Sequence, residues 1–110
     1  MAAVDWTALA PKMLAAVKGV FGKQWPEAKD YAQSELKKLQ ETMELIGRLT
    51  VAGKMTPEEA ALQLQIQKNS ARTVLLTLEG IGVLTAEEAI NAALEIPRSA
   101  VNTALGFALL

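Results

Sequence analysis

The sequence predicts an all-α fold: one domain, a four-helix up-and-down bundle with a short first helix and a kinked last one, expected to be oligomeric. Three observations predict it. Apolar residues fill 51% of the 110 positions but aromatic residues only 5%, and Ala and Leu supply most of the rest, a mixture that favours helix over sheet. Apolar positions recur three and four residues apart along most of the chain. Finally, one phrase occurs twice: Gly53-Lys54-Met55-Thr56-Pro57-Glu58-Glu59-Ala60 returns as Gly82-Val83-Leu84-Thr85-Ala86-Glu87-Glu88-Ala89. Each copy reads as the end of one helix and the capped start of the next.

The first helix is expected from about Thr7 to Gly22. Pro11 falls near its first turn, where a missing N–H is tolerated. Trp6, Leu9, Met13, Leu14, Val17, Val20 and Phe21 share one face at 100° per residue, and the small residues Ala8, Ala15, Gly19 and Gly22 lie opposite. Gly22 to Pro26 reads as a break, because Pro26 disfavours helix at Trp25 yet suits the first turn of a new helix. The second helix then runs to about Ala52, roughly 40 Å long. Its Ala32, Leu36, Leu39, Met43 and Ile46 alternate four and three apart, and most of its charges fall on the other side.

The third helix opens at Thr56 with a capping box that includes Pro57, and is expected to reach about Glu79. Its second half is apolar nearly all round, which predicts burial on several sides. Gly80 and Gly82 should close it. Thr85 is expected to cap the fourth helix through Glu88, as Thr56 does through Glu59. That helix should run to the C-terminus, with Pro97 breaking it between about Ala93 and Arg98. The repeat extends weakly, Ser70-Ala71 against Ser99-Ala100 and Leu76 against Leu105, which suggests an old helix duplication but no solenoid.

The composition also excludes chemistry. There is no Cys and no His, so disulfides, thiolate nucleophiles, Cys/His zinc sites and imidazole bases are all ruled out. Lack of Cys suits the cytoplasm, the expected compartment. A formal charge of −1 argues against a general nucleic-acid binder. Pro11 and Lys12 interrupt the N-terminal apolar stretch before it could serve as a signal sequence, and no uncharged apolar run approaches the ~20 residues of a membrane-spanning helix. Charge drifts along the chain, basic over residues 1–25 and acidic over 84–110, which suits either helix-end bias or an antiparallel or head-to-tail contact between charged ends.

The remaining candidates for chemistry are few. Glu58-Glu59 and Glu87-Glu88 are paired acids, but capping accounts for Glu59 and Glu88, and a di-iron site would need His. Met13, Met43 and Met55 read as core filling. Gly80-Ile81-Gly82 comes after a helix and lacks the third glycine of a dinucleotide signature. Gln65, Asn69 and Arg72 share a face of the third helix, as Asn91, Glu95, Arg98 and Asn102 do on the fourth; both read as solvated faces or as a polar contact between subunits. Trp6, Phe21 and Trp25 with Lys12, Lys18 and Lys23 have the make-up of a membrane-surface helix, but a core-facing stripe accounts for them better, and contact with a membrane surface is not expected. Tyr31 and Lys29 are the least poor catalytic candidates. No catalytic residue, cofactor or metal ligand is assigned.

The strongest signal is the amount of apolar surface, more than four helices with one stripe each can hide. The expectation is a non-enzymatic interaction or assembly protein, acting as a homo-oligomer or as a subunit of something larger, a size and composition that also suit small phage or mobile-element proteins. The contact is expected at Ala15, Gly19 and Gly22, or at the tail residues Phe107, Leu109 and Leu110. The alternatives are a carrier or sensor holding an apolar small molecule or lipid between the first, third and fourth helices, and a helical protein that associates with a membrane surface.

Overall fold

The computed structural model describes residues 4–110, and among these there is no strand. Residues 1–3, part of the N-terminal stretch weighed as a signal sequence, lie outside the described residues. The bundle measures 43 × 25 × 18 Å. Its length is set by its longest helix.

Helix α1 spans Trp6–Phe21, one residue earlier at each end than the pattern suggests. Asp5 caps it: its carboxylate accepts from the Ala8 N–H at 3.2 Å. Pro11 therefore lies inside the helix, which runs through it unbroken. The expected break at Gly22 is a single 3-10 turn, Gly22–Gln24, leading directly into α2, Trp25–Val51, with Pro26 in its first turn. Gly22 makes the reversal at φ +55°, a conformation that favours glycine.

Helix α3, Pro57–Leu75, starts as expected, with both arms of the capping box in place. The Glu59 N–H donates to the Thr56 hydroxyl at 3.1 Å, and the Thr56 N–H donates to the Glu59 carboxylate at 3.0 Å. The helix ends four residues short of the expected Glu79; turns carry the chain over residues 76–82. These turns are anchored by Gln24, whose side-chain amide donates to the Gly80 carbonyl at 2.9 Å.

The second copy of the repeated phrase does not fold like the first. Helix α4 begins at Val83, its N-cap is Gly82 in extended conformation, and no side chain caps it. Thr85 is inside the first turn, so the expected second capping box is absent. Proline explains the difference. Pro57 has no N–H and its ring would clash with a helical carbonyl four residues back, so α3 cannot start earlier than it does. Ala86 imposes no such stop, and the helix winds back through Leu84 and Val83 to Gly82.

Pro97 breaks the last helix where expected. Helix α4 ends at Glu95 and α5 spans Arg98–Leu105, with Pro97 as its N-cap residue. The helix does not reach the C-terminus. Gly106, at φ +80°, ends α5, and the tail turns back on it. Asn102 holds the tail: its Oδ1 accepts from the Leu109 and Leu110 N–H groups at 2.9 and 3.0 Å, and its amide donates to the Leu110 carbonyl at 3.1 Å.

The helices close a ring in chain order. α2 packs most extensively on α3, and α1 on α4, while the α1/α2 and α3/α4 seams are looser. Alanine sets this pattern. Ala28 and Ala32 on α2, Ala60 and Ala71 on α3, and Ala86, Ala89 and Ala93 on α4 are each at most 2% exposed, and side chains this short let helix axes approach closely. Met13, Leu39, Met43, Ile46 and Val101 fill the space between, so Met13 and Met43 are core residues, as their spacing suggests. Burying each such side chain contributes about 1.5–3 kcal/mol.

Candidate functional site

The two looser seams hold the two clefts of interest, and they differ in chemistry. The α3/α4 seam is polar. It brings Gln65, Asn69 and Arg72 of α3 against Glu87 and Asn91 of α4, around a cleft of about 190 Å³. Arg72 bridges to Glu87 at 3.1 Å, and Gln65 donates to Asn69 at 2.9 Å. Lys68 and Asn91 also line an adjoining cleft of about 230 Å³ that ends at Glu95, Arg98 and the tail. Thus the two polar faces expected from the sequence meet across one seam, apart from Asn102, which the break at Pro97 separates and assigns to the tail. Arg98 pairs with Glu95 at 3.2 Å, as their spacing suggests. The Arg98–Glu95 pair is largely exposed and the Arg72–Glu87 pair half-buried, still open enough to water that each contributes little.

The α1/α2 seam is apolar. It opens a groove of about 540 Å³ lined by Thr7, Ala10, Pro11, Met13 and Leu14 of α1 and by Gln33, Leu36, Lys37 and Gln40 of α2. The cavity between α1, α2, α3 and α4, by contrast, is only about 10 Å³, room for one water. A carrier of apolar ligands would need far more space there.

That small cavity borders the one feature the sequence pattern does not bring forward. Glu35 is 3% exposed, its neighbours around the cavity including Val17, Ala71, Leu75, Ala89 and Ile90. One carboxylate oxygen accepts from Lys38 at 3.0 Å; the other is buried with no partner. A signal is present: Glu35 lies three after Ala32 and four before Leu39, on the apolar stripe itself.

The other candidates lose their chemistry. Glu58 and Glu88 are exposed, and Glu59 is occupied by its cap. Tyr31 and Lys29 sit on the surface of α2. Trp6 and Phe21 are buried and Trp25 is half-buried against the core, so the aromatic residues face inward. Among the described residues no three His, Cys, Asp or Glu side chains converge to hold a metal ion, and no helix is long and apolar enough to cross a membrane.

Ala15 and Gly19 are exposed on α1, and Gly22 is exposed in the turn that follows it. Phe107, Leu109 and Leu110 are half-buried and pack against the core, so the tail already covers part of its apolar surface within the chain. The large apolar side chains that do face water are elsewhere. Leu62 and Ile66, 61% and 53% exposed, lie four apart on α3, opposite its buried stripe of Ala60, Leu64, Ala71 and Leu75. Val83 and Leu84 are exposed at the start of α4.

Comparison with protein-family models, curated proteins and solved structures finds no match for this chain.

Proposed function

We propose that this protein works by association and not by catalysis: a helical assembly protein that binds further copies of itself, in the cytoplasm. The observation that carries this reading is the outward placement of Leu62 and Ile66 on an otherwise well-filled bundle. Both sit at the centre of a solvent-facing strip, where a helix that ends its packing at one stripe carries polar residues. Exposed apolar groups on neighbouring turns mark contact surfaces.

The residue inventory supports the same reading. With no His or Cys, an active site would have to be assembled from carboxylates, lysines and hydroxyls. Apart from Glu35 the carboxylates lie at or near the surface, and Glu35 faces apolar side chains in a space too small for a substrate.

Native mass spectrometry of the purified protein tests this. The expected result is a series of multiples of the 11.8 kDa chain that grows with concentration. A single-chain species at every concentration would refute self-association. A small molecule retained by that single chain would favour a carrier instead.

A further inference from the structure

We infer that copies of this chain join head to tail, with the outer strip of α3 on one copy seated in the α1/α2 groove of the next. This contact rests on the assembly reading and makes it specific.

The groove has an apolar floor of Met13, Leu14 and Leu36. Its rim is basic. Lys37 lines it directly. Lys18 lies four residues after Leu14 and Lys29 four before Gln33, so each continues a strip that already faces the groove. All three lysines are exposed, and among the described residues no carboxylate lies within 4.0 Å of any of them. Acids border these strips as well: Asp30 lies three before Gln33, Glu41 four after Lys37, and Glu44 four after Gln40, from which it accepts at 3.1 Å; Glu41 and Glu44 stand at the end away from Lys18 and Lys29.

The outer strip of α3 has the opposite character. Leu62 and Ile66 project from its centre, Glu58 and Glu59 stand at its start, and the positions that continue it, Asn69 and Thr73, are uncharged. Glu58 to Ile66 covers about 12 Å of helix, and the groove wall from Gln33 to Gln40 about 10 Å. An apolar pair preceded by acids thus matches, in length, an apolar groove that has Lys18 and Lys29 at one end to meet those acids and Lys37 on its wall. This is the helix-in-groove mode of recognition, with a second copy as the helix donor.

The contact cannot be reciprocal within a pair. The helices form a ring in chain order, so the groove opens on the α1/α2 side while the α3 strip points away from the opposite corner. One partner cannot cover both surfaces. Each copy therefore keeps a free groove or a free strip, and growth continues into a chain or closes into a ring.

Two variants test this by sedimentation velocity, with far-UV circular dichroism to verify folding. The strip variant carries Leu62→Glu and Ile66→Glu; the groove variant carries Pro11→Glu and Lys37→Glu. All four positions are exposed, so the fold should persist. The wild-type protein should grow past twice 11.8 kDa as concentration rises. Each variant alone should remain a monomer. An equimolar mixture should give a one-to-one dimer and nothing larger, because one variant supplies the intact groove and the other the intact strip. Variants that assemble like the wild type would overturn this contact and leave the assembly reading standing. So would a wild type that stops at a dimer, or a mixture that stays monomeric. A wild type that is monomeric throughout would overturn both.

Discussion

Replacing Glu35 by Met should stabilise the bundle. Three contributions at one side chain decide the sign. Glu35 holds one oxygen with no partner in apolar surroundings, and a buried polar group left unmet costs about 1–3 kcal/mol. Met removes that cost, and its thioether adds apolar burial of about 1 kcal/mol beside a cavity that accommodates small differences in shape. Against this stands the lost ion pair with Lys38. The lysine side chain is 51% exposed, so water screens the pair and its loss costs about 1 kcal/mol at most. The sum is a gain of about 1–3 kcal/mol, within the range seen when buried ionic groups give way to apolar residues of similar volume. Each kcal/mol should raise Tm by about 4–8 °C in a domain of this size.

The partner substitution should act in the opposite direction. Lys38→Met leaves the Glu35 carboxylate buried with neither oxygen paired, and the expected loss is about 1–2 kcal/mol, because water can partly take the place of a half-exposed partner. Urea unfolding monitored by far-UV circular dichroism, with linear extrapolation, measures both. The two signs together are the test. A less stable Glu35→Met beside an unchanged Lys38→Met would show that the carboxylate is held by something other than Lys38, and the reasoning would fall.

Local geometry sets two further outcomes. Thr56→Ala removes a cap bonded in both directions and should cost about 1 kcal/mol, whereas Thr85→Ala, at the matching place in the repeated phrase, removes no cap and should leave stability within about 0.5 kcal/mol, both read by thermal unfolding. Asn102→Ala breaks three hydrogen bonds between α5 and the tail and should cost about 1–2 kcal/mol, with faster amide exchange at Leu109 and Leu110 before any change elsewhere.

Much of the fold is legible in the sequence because its signals are local. A proline set between a threonine and a glutamate pair fixes a helix start almost by sterics alone, and Pro97 fixes a break in the same way. The pattern misleads where the same letters lack that constraint. Thr85-Ala86-Glu87-Glu88 looks like Thr56-Pro57-Glu58-Glu59, but without the ring the chain is free to add a turn upstream, and Gly82 offers a better place to begin. The C-terminal helix reads too long for a comparable reason. Gly106 supplies a left-handed stop, but Asn102, which ties down the tail beyond that stop, reads from its spacing as part of a solvated face.

The candidate surfaces are less legible, because they depend on which helices become neighbours. Gln65 and Asn69 on α3, and Asn91 on α4, are each readable as polar positions, yet only the α3/α4 seam makes them one cleft. The groove depends in the same way on α1 and α2 packing loosely where Ala10 and Leu36 line the seam. For α3 the number of apolar residues is plain from the sequence but their direction is not. Leu62 and Ile66 are four apart and so are Ala60 and Leu64, and either pair could lead the inward stripe. The bundle turns the alanine inward because the close α2/α3 approach has room for Ala60 and not for a second leucine, and that same choice turns Leu62 and Ile66 out to water. The tight interior and the apolar exterior strip are therefore two results of one packing decision. An Ala60→Leu substitution should expose the link, with urea unfolding to read stability and sedimentation velocity to read association. It crowds the α2/α3 contact and should cost about 1–3 kcal/mol, while leaving the outer strip, and any association through it, chemically unchanged.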